Sequence, residues 1–345
     1  RDQIVESELS YLSNYQRVII NSGKISNKGW EISVSGVPVK VKNFEWKTIF
    51  NWSKNNSMVE SLPEGIDKIQ IGSGVYNVKS YAEVGKPYGA IYAKTFKRDA
   101  EGYILCQLDG SPKEGQDYEY LGCVQADWRG GWNNVFRLGN FSFSVMFDFQ
   151  KGGKFFSQTS IQSSVDGQSV KSLEGRDADF FSRKILGESD EERYGFMRPQ
   201  NANTPTANGQ IYPDWGRPKG VVLPNCRYDE DVEGLAGQQV LGYCTPERYW
   251  MHYTSRDISR FIYDASYVKL REITVSYDLP KKWLRKTPFQ TFRVAAVGRN
   301  IATLFANTPH GLDPQATSTT GNAQGFERGF NLPSATYGFD IKVSF

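Results

Sequence analysis

Apolar and polar positions alternate with period two in three segments of the chain. In FSFSVMFDF (141–149), Phe141, Phe143, Val145, Phe147 and Phe149 share one face, opposite Ser142, Ser144, Met146 and Asp148. FEWKTIFNW (44–52) sets Phe44, Trp46, Phe50 and Trp52 against Glu45, Lys47 and Asn51. The final YGFDIKVSF sets Tyr337, Phe339, Ile341, Val343 and Phe345 against Gly338, Asp340, Lys342 and Ser344. Sustained alternation predicts half-buried strands, and roughly 9–11 tilted residues are what a strand needs to cross a bilayer. The same pattern fits a soluble β-sandwich, with the apolar face on a core.

Across the whole chain the pattern predicts strands near 1–5, 22–36, 44–57, 85–97, 102–108, 127–138, 141–160, 262–279, 288–303 and 333–345. The connections at 37–43, 98–101, 139–140 and 280–287 are short; those at 6–21, 58–84, 109–126, 161–261 and 304–332 are long. Short and long alternate strictly. A sandwich has no reason to sort its loops in this way, whereas an outer-membrane barrel has short turns on one side and long loops on the other. The expected fold class is therefore all-β, a transmembrane antiparallel β-barrel, with 161–261 as a large extracellular loop region. Trp30, Trp46, Trp52, Trp132 and Phe155 suit interfacial girdles. In the segment DASYVKLREITVSY the phase slips: Val268 and Leu270 share one parity, and Ile273, Val275 and Tyr277 the other. A bulge or a rim position would account for this slip, and Asp264, Lys269, Arg271 and Glu272 then read as a charge network in the wall.

Composition narrows the chemistry. Eight Trp, 19 Tyr and 21 Phe favour strands, and no apolar run approaches the ~18 residues of a spanning helix. A net charge of +3 offers no basic field for nucleic acid. Two histidines, His252 and His310, stand at no zinc-ligand spacing from a cysteine. No nucleophile–base or acid pair stands out, so no catalysis, cofactor or metal is expected. GSGVYN (72–77) lacks the third glycine of a dinucleotide loop, and Asp109 and Asp313 lack the oxygen spacing of a calcium loop. Cys106, Cys123, Cys226 and Cys244 stand 17 and 18 residues apart in pairs. Two local disulfides and four buried thiols both fit that spacing. The chain opens at Arg1 with no apolar leader and reads as the C-terminal part of something longer.

Specific blocks resemble the SusC/RagA-type TonB-dependent transporters of Bacteroidota outer membranes. FIYDASYVKLREITVSYDLPKKWL (261–284) and FRVAAVGRNIATLFANTPHGLDPQ (292–315) carry the likeness most fully, with Ile301 where that family usually has Leu. SNKGWEISVSG, FEWKTIFNWSKNNSMVESL, GKPYGAIYA, ADWRGGWNN and TPERYW extend it along the chain in order. The resemblance implies the C-terminal portion of a barrel of about 22 strands, of which this chain would supply about ten. It implies a plug domain and a TonB contact segment in an N-terminal part absent from this chain, and membrane lipid around the wall. It also implies a SusD-like surface lipoprotein as lid, and oligosaccharide or peptide as substrate. Tyr212, Trp215, Tyr249 and Trp250 then become candidate substrate or lid contacts, against the alternative that they pack the loops. Gly338, Phe339, Ile341, Val343 and Phe345 resemble the terminal signal read by barrel-assembly machinery. A passive outer-membrane channel and a secreted glycan-binding sandwich are the alternative readings.

Overall fold

The computed structural model describes residues 4–8, 17–21, 23–108, 110–173, 221–244, 249–309, 311–315, 324–329 and 334–345. In chain order its strands begin with β1 (Ile4–Glu8), β2 (Arg17–Asn21), β3 (Lys24–Val41), β4 (Phe44–Ser61), β5 (Lys68–Ser73), β6 (Lys79–Glu83) and β7 (Ala90–Phe96). They continue with β8 (Ile104–Cys106), β9 (Glu114–Cys123), β10 (Trp128–Leu138), β11 (Phe141–Lys151), β12 (Lys154–Ser157), β13 (Val221–Tyr228) and β14 (Gln239–Cys244). The last are β15 (Ile262–Asp264), β16 (Tyr267–Asp278), β17 (Thr291–Ala306), β18 (Phe326–Glu327) and β19 (Thr336–Ser344). Helix α1 (Gln158–Val165) follows β12 and is capped by the Ser157 side chain.

Seven strands build one antiparallel wall in the order β19-β17-β16-β11-β10-β4-β3. Each pairs with the next wall strand along the chain, so the wall is a meander. Its turns at 42–43, 139–140 and 279–290 lie at one end, and the long connections 62–127, 152–266 and 307–335 lie at the other. Short turns and long connections alternate along the wall, but the predicted short turn 98–101 and the loops 58–84 and 109–126 on either side of it merge into one connection, 62–127.

Register aligns the alternating residues into continuous rows. One row runs Val39–Trp46–Phe136–Phe143–Val275–Ala296–Phe339, and the next runs Val41–Phe44–Leu138–Phe141–Tyr277–Val294–Ile341. Aromatic neighbours stack across strands, Trp46 on Phe136 at 6.0 Å and Phe136 on Phe143 at 6.1 Å. This apolar face is open to the surroundings, with Trp30 73 % and Phe339 84 % exposed. A row of large apolar side chains without a protein partner is what hydrocarbon covers. The opposite face is polar and bonded to itself: Ser33 donates to Asn51 at 2.7 Å, and Arg299 to Glu272 at 2.9 Å.

The phase slip in β16 is a bulge. Met146 pairs with Glu272 and Phe147 with Leu270, which leaves Arg271 as the extra residue. The bulge keeps Leu270 and Ile273 on the apolar face despite their opposite parity.

Three expectations change. Segments 85–97 and 102–108, read as wall strands, supply β7 and β8 in the loop region instead. Every residue of β7 but Lys94 is buried, which suits a packed core and not a wall between lipid and water. Of the predicted strand 1–5, Ile4 and Val5 lie in β1, which pairs with β2 in a separate hairpin. The described wall thus has seven strands where about ten were expected. The 161–261 region is also more than a loop, since it contains the β13–β14 hairpin and the turns at 249–253 and 258–261.

Candidate functional site

The three long connections fold together over their end of the wall. Phe96, Ile104 and Cys106 from the first pack with Leu223, Cys226, Tyr249, Trp250 and Tyr253 from the second. A second core joins Ile91 and Ala93 of the first to Phe156, Ile161 and Phe261 of the second and Phe326 of the third. Strand pairing reinforces this, because β8 joins the β13–β14 hairpin and β18 joins β12. Polar contacts tie the same pieces. Glu327 accepts from Ser157 Oγ at 2.6 Å and from Thr159 N at 3.1 Å, and Arg227 pairs with Asp99 at 3.1 Å and Glu101 at 2.9 Å. Asp229 accepts from Lys97 and Lys113, each at 2.8 Å. Burial opposes ionisation of Asp229, but the hydrogen bonds from Lys113, Lys97 and the Glu230 amide outweigh it and bring the carboxyl down to about 2.

Where this cap meets the wall, the polar face carries two adjoining cavities of about 430 and 620 Å³. They share Arg129 and Asp148. Two rows of the wall form their floor. The upper runs Glu31–Ser53–Arg129–Gln150–Tyr267, and the lower runs Ser33–Asn51–Gly131–Asp148–Lys269. Nearly every member is a hydrogen-bonding side chain. Gly131 leaves a notch between Asn51 and Asp148, since a Cβ there would meet nothing closer than 3.6 Å.

Most charges around the cavities are already matched. The fully buried Lys269 side chain donates to both Asp313 oxygens at 2.5 Å and to Gln315 at 3.1 Å. Arg271, the bulge residue, donates to Asp148 through Nη2 at 2.6 Å and Nε at 3.0 Å. Tyr267 donates to the same carboxylate oxygen at 3.2 Å, and Gln315 bridges Tyr267 and Arg271. Lys154 pairs with Asp264 at 3.3 Å, and Glu272 with Arg299. Lys269, Arg271 and Glu272 are thus matched charges of the wall, as the phase slip suggested, whereas Asp264 lies outside the wall, at the end of β15, and pairs with Lys154 of β12. Asp313 serves this network as Lys269's counter-ion; Asp109 lies outside the described residues.

Of the predicted contact aromatics, Tyr249 and Trp250 are 1 % and 2 % exposed and lie in the first cap core, ring against ring at 5.1 Å. Their packing role is the one the structure displays, because rings so enclosed present no face to a ligand. Tyr212 and Trp215 lie outside the described residues. The cysteines are regrouped. Cys106, Cys226 and Cys244 enter one core, where β8 and β13 pair in parallel with Cys226 opposite Ile104. Cys123 ends β9 in a different sheet and donates to the Tyr88 carbonyl at 3.4 Å. Register sets Cys226 opposite Val240 and Cys244 opposite Val221, so neither local pair is brought face to face. Gly338, Phe339, Ile341 and Val343 lie on or beside the wall-edge strand β19, and Phe345 packs edge-on against Phe289 at 5.2 Å. Among the described residues no three His, Cys, Asp or Glu side chains are arranged to hold a metal ion. Arg129 lies in the ADWRGGWNN block and Gln315 ends the 292–315 block, but neither block marks a binding role; Gln150 has only its place on the polar parity of a strand.

A meander with a lipid-facing apolar band, a polar inner face and all long loops at one end defines an outer-membrane β-barrel wall. The sequence agrees. The chain is 23% identical to TonB-dependent receptor P3 of Formosa agariphila over 358 residues, covering 97% of this chain and 30% of that protein. It is 21% identical to TonB-dependent receptor P39 of the same organism over 193 residues. No family model matches. Among solved structures it superposes on the RagAB peptide transporter with a TM-score of 0.60 and 15% identity, covering 100% of this chain and 32% of that one. On the RagAB importer in its open-open state the TM-score is 0.55. The fold is thus that of the TonB-dependent receptor barrel, and the chain is related to those receptors along nearly its whole length. It spans about a third of the length of these relatives, which are receptors and a transporter and not enzymes.

Proposed function

We propose that this chain is the C-terminal barrel part of a TonB-dependent importer in the bacterial outer membrane, taking up oligosaccharides or peptides beneath a SusD-like surface lipoprotein. The observation that carries the reading is the joint folding of all three long connections into one cap above a polar inner wall. A passive pore needs an open mouth, whereas an importer needs a built rim on which a lid can seat and beneath which substrate can be held. In this reading the cap, including the 161–261 region, faces the outside, the turns face the periplasm, and the N-terminal part of the protein supplies the plug and the TonB contact. Tyr212 and Trp215 remain candidate lid or substrate contacts. Gly338, Phe339, Ile341, Val343 and Phe345 serve as the assembly signal of the last strand.

The test is uptake by cells carrying the full-length protein, before and after collapse of the inner-membrane proton gradient. Energised import predicts accumulation that stops with the gradient. Uptake that continues unchanged, together with steady conductance of the purified protein in planar bilayers, would establish a passive channel instead.

A further inference from the structure

Two charged side chains that line the cavities have no ion pair among the described residues, Arg129 and, two strands along the same row, Glu31. The Arg129 Nε donates to Gln150 at 2.9 Å, a neutral acceptor, and among the described residues no carboxylate lies within ion-pairing distance of its guanidinium. The other cation that lines them, Lys154, has Asp264, and the neighbouring cations of β16 are matched as well, Arg271 by Asp148 and Lys269 by Asp313. Arg129 is also the exposed member of that set and stands at the junction of both cavities. A guanidinium presents a planar fork of donors suited to a carboxylate. Around it Ser53, Asn51, Gln150 and Gln315 supply uncharged donors and acceptors, and the Gly131 notch gives room beside it.

We infer that Arg129 is the anchor of a binding site for the carboxylate of a polar chain-like ligand, either a peptide or an acidic oligosaccharide, lying in the trough under the cap. The inference rests on the importer reading and adds to it a ligand charge and a place. The neutral side chains take the ligand's amides or hydroxyls, and Arg129 takes its carboxylate. The pairs Arg271–Asp148, Lys154–Asp264 and Lys269–Asp313 are fixed and carry no net charge. Glu31, two strands along the row, turns an anion away from that end of the trough and towards Arg129.

The experiment uses the purified full-length protein and calorimetric titration with four probes: an oligopeptide, the same peptide with an amidated C-terminus, an oligouronate, and a neutral oligosaccharide of equal length. The wild type should prefer the free peptide over its amide, or the uronate over the neutral sugar, by roughly 10- to 100-fold, the range for a charge-assisted hydrogen bond; which preference appears identifies the source of the carboxylate. Arg129→Gln should abolish the preference, and Arg129→Lys should retain part of it. Gly131→Leu, which fills the notch without touching the charge, should weaken all bound probes together. Heat-modifiable migration on SDS gels confirms that each variant is a folded barrel. A preference unchanged in Arg129→Gln would overturn the site, as would equal binding of charged and neutral probes by the wild type. In either case gradient-dependent uptake of a neutral substrate would leave the importer reading standing, whereas loss of gradient dependence for every substrate would remove that reading itself.

Discussion

Asn134 shows how single residues settle the polarity of this wall. It points to the apolar face in the row Gly36–Thr48–Asn134–Val145 and is 4 % exposed. Trp46 Nε1 donates to its Oδ1 at 3.0 Å, and Trp132 Nε1 donates to Thr48 Oγ1 at 2.9 Å. An indole N–H facing hydrocarbon needs an acceptor, and a lone amide there needs a donor; each satisfies the other. Asn134→Leu should therefore lower stability by about 1–2 kcal/mol despite adding apolar surface, as read from urea unfolding followed by Trp fluorescence. A neutral or stabilising result would show that the pair makes no net contribution. In the cap, Asp229 has its carboxyl depressed to about 2. Because the folded value lies below the unfolded one, its contribution is complete above about pH 4 and is lost as pH falls through about 2. Asp229→Asn should flatten that acid-side loss and cost about 2 kcal/mol at neutral pH by leaving two lysines without their shared acid. Limited proteolysis of the cap, run against pH, measures both effects.

Among the strands, β10 depends on an aromatic cover. Gly130 takes no side chain because Phe149 of β11 lies across it; a Cβ there would fall 2.1 Å from Phe149 Cε2 and 2.9 Å from the Asn51 carbonyl. Phe149 in turn stacks on Phe50 at 6.0 Å and meets Trp128 edge-on at 5.9 Å. Gly130→Val should displace the ring and reduce the heat-modifiable fraction of the barrel several-fold, by overpacking that costs about 1–3 kcal/mol. Gly131→Ala, one residue along on the polar face, where a Cβ meets nothing closer than 3.6 Å, should leave that fraction unchanged. At β19, where Phe339 and Ile341 stand exposed at the wall edge, Phe339→Ser combined with Phe345→Ser should lower the amount of folded protein in the outer membrane more than it lowers the stability of the molecules that do fold. Equal losses in both would speak for packing and against an assembly signal.

At the level of the whole molecule, wall and cap follow different physics. The wall has one wet face and one lipid face, so its order is written in period two. The cap is a packed protein core assembled from three separated connections, with Cys106 and Cys226 in one cluster and Phe156 and Phe326 in the other. Truncating one cap loop should therefore loosen the other two, and hydrogen exchange at β7 should rise when 221–244 is deleted. If exchange at β7 stays unchanged, the three connections fold independently.

The sequence by itself determined the core of the wall: the alternating segments 44–52 and 141–149, the short turns beside them, and the phase slip at Leu270–Ile273 that became the Arg271 bulge. It did not separate these from 85–97 and 102–108, which lie outside the wall. Period two is a local property of a strand between two solvents and needs no knowledge of its neighbours. Tertiary structure alone decided what the loops became. It enclosed Tyr249 and Trp250, which sequence offered as contacts, because aromatics in a loop look the same whether they meet a ligand or a distant strand. It regrouped the cysteines by strand register and not by their spacing along the chain. It also left Arg129 without an acid while matching Arg271, Lys154 and Lys269, since pairing depends on which strands become neighbours, and a cation's place in the sequence says nothing of the acid that will face it.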